Sequence, residues 1–286
     1  MSDQRYIKIR DVIGATINSL ELIPLCFYKP GGVSLTLYIF SESESCSSCP
    51  WSEYYGSRRV FDYSEIDVER VLKRFEELKP DLLFFSGGDF LSKEESSIVL
   101  EYLSSRGLEI GVKHNVRERF IRESLDHVNT VLLEIRTLTD LRIVERFLKN
   151  LSDKIHLEML IDEISEDPEK RIIITPWIRD LCKAFPEYYK AFYMADKTDN
   201  FIERYASIIS KLCDNQFYIV ASHYKFTPEI ISCLRCGLQI ANRIEGVIVN
   251  PFIDSKNCPR CGFRIFFREF DKNRIRKRFI YSRIVI

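Results

Sequence analysis

Between residues 33 and 222 the chain alternates short apolar runs with longer amphipathic ones, and this alternation constrains the fold more than any other feature. Residues 33–40 are apolar and β-prone, bounded by Pro30-Gly31-Gly32 on one side and a serine-rich loop on the other. Ser64, with Asp67 three residues on, reads as a capping box opening a helix. That helix carries Ile66, Val71, Leu72, Phe75 and Leu78 on one face and stops at Lys79-Pro80. Residues 81–85 form an almost fully apolar strand running into Ser86-Gly87-Gly88-Asp89. A second helix starts at Ser92, boxed by Glu95, and stops at Gly107. Strands follow at 108–113, 130–135, 155–161, 171–174 and 217–222, with helices at 116–125, 139–151 and 200–212. Thr175-Pro176 reads as an N-cap with proline at the first helical position. Six or seven such units predict a parallel sheet wound by helices, open or curled toward a barrel. In that architecture the loops after the strands build the site, here near residues 41–50, 86–90, 114–115 and 134–139. Past about His223 the pattern gives way to short segments. The chain divides into an α/β domain over 1–222, a small module over 223–266 and a basic tail over 267–286.

Charge and cysteine content narrow the class. The 42 Lys and Arg balance the 42 Asp and Glu, yet Arg264 to Ile286 holds Arg264, Arg268, Lys272, Arg274, Arg276, Lys277, Arg278 and Arg283 against Glu269 and Asp271. An acidic body thus carries a basic tail. The longest uncharged stretch, residues 30–41, is too short to span a membrane. The amino terminus has no apolar signal-peptide core. Nine cysteines, odd in number and clustered, point to metal ligands or reduced thiols rather than a disulfide scaffold. The expectation is a cytoplasmic protein that uses cysteine for metals.

Cys233-Leu234-Arg235-Cys236-Gly237 and Cys258-Pro259-Arg260-Cys261-Gly262 are two C-x-x-C knuckles. Two residues between thiolates allow a tight turn that aims both sulfurs at one tetrahedral ion, and the following glycine permits the positive φ this turn needs. Four thiolates with no open position make a structural site, a zinc ribbon holding Zn2+; a rubredoxin-like single iron is the competing ion.

The loop after the first strand reads Ser41-Glu42-Ser43-Glu44-Ser45-Cys46-Ser47-Ser48-Cys49-Pro50. Alone, such a C-x-x-C is a redox pair, half a metal site or two surface thiols. Its place at the end of the first strand of a βα series changes its weight. Here the chain resembles the radical S-adenosylmethionine (SAM) enzymes, and within them the activases of glycyl-radical enzymes and the AmmeMemoRadiSam-system proteins. Their signature is a C-x-x-x-C-x-x-C loop, to whose second and third cysteines Cys46 and Cys49 correspond, after a lead-in like Phe27 to Leu35. Ser86-Gly87-Gly88-Asp89 is similar to their Gly-Gly-Glu motif, His114-Asn115 to the activases' Thr-Asn, and Glu134-Ile135-Arg136 to their Asp-x-Lys.

The resemblance implies a partial (β/α)6, TIM-like barrel with a carboxy-terminal zinc ribbon. It implies a [4Fe-4S] cluster on Cys46, Cys49 and a third ligand, and SAM held by Gly87, Gly88, Asp89, Asn115, Glu134 and Arg136. Reduction by a donor such as a ferredoxin would then yield a 5′-deoxyadenosyl radical that abstracts hydrogen from a protein substrate. One departure stands out: the first cysteine of the signature falls on Glu42. Either Glu42 is the third ligand, or Cys26 substitutes, or the cluster is lost and the barrel serves another purpose. In that last reading the barrel, ribbon and tail form a scaffold that binds protein or RNA.

Other residues read more plainly. Cys182 and Cys213, in helices with apolar neighbours, read as buried thiols. His114 and His156 read as packing residues on strands, and Trp51, Tyr54 and Tyr55 as loop anchors. The aromatic and basic tail invites a nucleic-acid reading, but docking on the acidic body is the preferred one.

Overall fold

The computed structural model describes residues 7–25, 27–29, 31–40, 64–194, 196–214, 217–220, 230–244, 247–249, 257–263, 281–284 and 286. The chain opens with β1 (Lys8–Ser19), β2 (Val33–Ile39), β3 (Ser64–Asp67), α1 (Val68–Leu78), β4 (Leu82–Gly87), α2 (Ser96–Ser105) and β5 (Ile110–Asn115). It continues through α3 (Arg122–Leu125), β6 (Thr130–Arg136), α4 (Leu141–Leu148), β7 (His156–Asp162), α5 (Pro168–Ala184), β8 (Tyr189–Tyr193), α6 (Asp199–Leu212) and β9 (Phe217–Val220). The short strands β10 (Ile230–Ser232), β11 (Gln239–Ile244) and β12 (Val247–Val249) form a separate sheet, and β13 (Tyr281–Ile284) ends the series.

The large sheet has the order β13-β1-β2-β4-β5-β6-β7-β8-β9, with β3 paired to β1. From β2 to β9 every pairing is parallel and, apart from β3 between β2 and β4, every neighbour is consecutive, with one α-helix between each pair. β1, β13 and β3 are antiparallel additions at one edge. Among the described residues no pairing joins β9 back to the other edge, so the sheet is open. Uniform handedness of consecutive crossovers puts all helices on one face. One apolar cluster accordingly unites Val71, Val99, Phe147, Ile178 and Ile209 of the helices with Leu83, Val112, Leu133 and Ile161 of the strands.

The alternate strand residues form the inner face. Near the start of the parallel strands this face is apolar: Leu82, Phe84, Leu132, Leu160, Tyr189 and Tyr218 pack with Leu20, Leu25 and Phe27 from the β1–β2 connection. Ile231, Cys233, Ile240, Ala241 and Cys258 of the ribbon share that cluster. The connection is held by buried carboxylates. Glu158 Oε1 accepts from the amides of Phe27 (2.9 Å) and Tyr28 (3.0 Å) and meets His156 Nε2 at 2.9 Å, while Glu21 accepts from Gly31 N at 2.8 Å.

Several local expectations are corrected. Residues 64–67 are a strand, because Ile66 pairs with Ile9 and buries there; Asp67 then caps α1 by accepting from Glu69 N at 3.0 Å. Residues 171–174 are helical. Asp167 and Pro168 start α5, and Ile174, Ile178 and Leu181 bury at helical spacing while Ile172 and Ile173 face solvent, so the helix runs through Pro176. The helix expected over 116–125 shrinks to one turn, since Asn115 Oδ1 accepts from Arg117 N at 3.1 Å and turns the chain instead. Cys182 and Cys213 are not free thiols: they form a disulfide between the ends of α5 and α6, with Cα atoms 5.4 Å apart. Both are buried as anticipated, but helices adjacent in a βα series bring their last turns together.

Candidate functional site: the rim of the inner face and the four-cysteine cluster

At the C-terminal ends of the parallel strands, hydrogen bonds stitch β2, β4, β5, β6 and β7 in series. Gly88 N donates to Ile39 O at 2.6 Å, joining the ends of β2 and β4. Asp89 Oδ2 accepts from Asn115 N at 3.0 Å, joining the β4 loop to β5. Val116 N donates to Glu134 O at 3.1 Å, and Thr137 N to Asp162 O at 3.1 Å, carrying the series to β6 and β7. Gly87, at φ +79°, makes the turn that starts this rim, a conformation that favours glycine. The loops expected to build a site therefore leave one braced edge.

Below the rim the inner face carries charge. Lys113 Nζ lies 2.7 Å from Glu134 Oε2, with both side chains largely buried. Arg136 Nε stands 3.9 Å from Glu134 Oε1, and Arg136 Nη1 reaches Glu163 at 3.5 Å. Strand register sets Glu134 beside Asn115 and Arg136 beside Asp162. Burial pushes the Asp162 carboxyl above the usual carboxylate range; Glu134 and Glu163 push the same way, against the Glu163 amide and Lys113. The arrangement offers one ion-paired carboxylate, a second carboxyl whose pKa burial raises and a guanidinium at its edge. Glu134 and Arg136 do share a face, as their spacing required. Lys113 and Asp162 were missed; their signal was the same, a charge at an inner-facing position near the end of an apolar strand.

Asp89 and His114 lie elsewhere. The Asp89 carboxylate turns to the helix side, where Oδ2 is 2.6 Å from Nδ1 of His114, close but off a hydrogen-bonding angle. His114 is fully buried, stacked on Phe147 with centroids 4.8 Å apart and edge-on to Phe120. The structure thus brings Asn115, Glu134 and Arg136 together and sets Asp89 behind them. Glu42, Cys46 and Cys49, like Cys26, Trp51, Tyr54 and Tyr55, lie outside the described residues.

The ribbon cysteines converge as the knuckles required. The sulfurs of Cys233, Cys236, Cys258 and Cys261 all lie within 4.8 Å of one another, with Cys233–Cys261 at 3.6 Å and Cys236–Cys258 at 3.5 Å. A tetrahedral ion with metal–sulfur bonds of about 2.3 Å spaces its sulfurs by about 3.8 Å, so the donor set fits one ion. The two knuckles repeat the same turn: Cys233 N bonds Leu238 O and Gly237 N bonds Cys233 O, as Cys258 N bonds Phe263 O and Gly262 N bonds Cys258 O. Gly237 and Gly262 sit at φ +69° and +70°. Burial pushes the Cys258 thiol up, but the Cys261 and Arg260 amides and the Cys236 and Cys233 thiols outweigh it and bring it down to about 6. Burial keeps Cys233 high. One thiolate is thereby prepared for a cation and the remaining protons leave on binding.

Among the described residues no helix is long and apolar enough to cross a membrane. No protein family and no curated protein matches the sequence. Among solved structures the chain is similar to the crystal structure of QueE from Escherichia coli at a TM-score of 0.32 and 12% identity, over 56% of this chain and 85% of that one. A likeness of that degree carries no conclusion about fold or activity.

Proposed function

We propose that this chain is a radical SAM-like iron–sulfur protein with a structural zinc ribbon. The observation that carries the reading is an order. The segments resembling the family's motifs follow β2, β4, β5 and β6 in turn, four adjacent parallel strands whose C-terminal ends form one edge. Cys46 and Cys49, with Glu42 or Cys26, would hold the [4Fe-4S] cluster, and Asn115, Glu134 and Arg136 would face SAM across the rim. When bound, that pair of groups would supply reductive cleavage of a sulfonium. The chain's own part is to hold charge at Lys113, Glu134 and Arg136 and to brace the loop ends. A protein partner as substrate, an outside electron donor such as a ferredoxin and a cytoplasmic setting belong to the same proposal.

The donor chemistry of the cysteine loop departs from that role. Two thiolates and a carboxylate make a harder, weaker set for iron than three thiolates. Asp89 also presents its carboxylate to His114 rather than to the inner face. These two observations favour a second reading, in which the α/β domain carries no cluster and serves with a zinc ribbon as a protein- or RNA-binding scaffold. Iron, acid-labile sulfide and zinc measured on one anaerobic preparation separate the two. Iron with matching sulfide supports the enzyme, and zinc alone the scaffold.

A further inference from the structure

Asp89 is the residue at which the family resemblance and the structure part. Its side chain is 6% exposed. Its backbone is fixed by Ser92, whose Oγ donates to the Asp89 carbonyl at 2.8 Å. The next residues, Phe90 and Leu91, are fully buried in the helix-side core, and Phe90 stacks on Phe85 at 4.2 Å. The segment is therefore drawn toward the helices, and the carboxylate goes with it.

There it meets two partners from β5: the Asn115 amide and the His114 ring. Neither ring nitrogen of His114 has a hydrogen-bond partner among the described residues, and neither has the buried Oδ1 of Asp89. A buried carboxylate needs compensating donors or a cation; the Asn115 amide supplies one donor, and the imidazole faces the same oxygen at 2.6 Å. From the Asn115 turn the bracing continues: Arg117 Nε donates to Thr139 Oγ1 at 3.1 Å, and Trp177 Nε1 to Thr139 O at 2.8 Å. Asp89 is thus the rung that ties the glycine turn of β4 to the β5–β6 side of the rim.

We infer that Asp89 is a positioning residue, paired with His114 behind the sheet, which fixes the Asn115 turn instead of contacting a ligand itself. This rests on the proposed function only for the role given to the Asn115 turn. In that function the cationic end of a ligand would be met by Glu134 on the inner face.

Asp89→Glu separates the alternatives. A ligand-contacting carboxylate tolerates the longer side chain, which the family's own motif carries. A carboxylate packed against His114 in a closed site does not. For the full zinc-loaded chain we expect Asp89→Glu and Asp89→Asn to raise the unfolding constant on the order of 100-fold or more, as for one partner lost from a buried pair. His114→Phe should do likewise, and the double variant Asp89→Asn/His114→Phe should be no worse than either single one. Nitrogen NMR of wild-type His114, assigned with His114→Phe, should show a protonated Nδ1 whose signal moves in Asp89→Asn. That spectrum holds the test open if the variants fail to fold. Wild-type stability in Asp89→Glu, additive losses in the double variant, or an Nδ1 without a proton would each overturn the inference. None of these readouts needs a cluster or SAM, so absence of iron would sink the proposed function and leave this result standing.

Discussion

Reducing the Cys182–Cys213 disulfide is expected to cost roughly 3.5–4 kcal/mol of stability. The bond spans 31 residues, and closing a loop of that size in the unfolded chain removes about 12 cal/mol/K of entropy. The closed segment contains β8 and α6, the last βα unit but for β9, so the loss falls on the open edge of the sheet. At about 2–4 °C per kcal/mol for a chain of this size, the unfolding midpoint should fall by roughly 10 °C. Urea unfolding with and without a thiol-free reductant measures the difference, provided zinc is held constant. Alkylation of the unfolded, chelator-treated chain should leave Cys182 and Cys213 unlabelled until reductant is added. Cys182→Ser should lose somewhat more than reduction does, since a hydroxyl then occupies an apolar site. Equal midpoints with and without reductant, or labelling of both cysteines in the non-reduced chain, would refute the reasoning.

Three further outcomes follow from buried groups. Lys190 is enclosed and donates to the carbonyls of Phe185 and Tyr188, both at 2.6 Å, and burial lowers its pKa to about 7 against a small opposing pull from Glu187. The unfolded chain therefore binds a proton that the folded chain lacks between about pH 7 and 10.5, so stability should rise with pH across that window. The slope approaches about 1.4 kcal/mol per pH unit, and urea midpoints for Lys190→Met should lack it. Glu158→Ala strips the Phe27 and Tyr28 amides of their common acceptor and is expected to cost about 3–5 kcal/mol, read by the same method. Zinc removal by a strong chelator should release one ion per chain and change the near-ultraviolet circular dichroism of Tyr189 and Tyr218, because Cys233 and Cys258 share their apolar cluster.

How much of this was legible in the sequence depended on whether a residue's partners were local. The convergence of the four cysteines was readable, since a C-x-x-C-Gly turn is made by five consecutive residues and two such turns bring four sulfurs together. The parallel series was readable for the same reason: β4 and β6 are short apolar runs between helices. Strand β8 escaped because Lys190 interrupts its apolar run, and the groups that let the lysine bury there are backbone carbonyls, of Phe185 and Tyr188, which a pattern of side chains does not display. Residues 64–67 resembled a helix start until β1 offered Ile9 as a partner for Ile66. The side toward which Asp89 turns could not be read, because it depends on a histidine 25 positions further along the chain. The disulfide was hidden likewise, by two helices whose ends meet only in the fold.

The measurement that bears most directly on the central proposal is metal content on protein prepared without oxygen, for the wild type and for Cys46→Ser. The proposal expects one zinc in both proteins, with about four iron and four sulfide per chain in the wild type and little of either in the variant. Zinc alone in the wild type, with no iron or sulfide to lose, would contradict it.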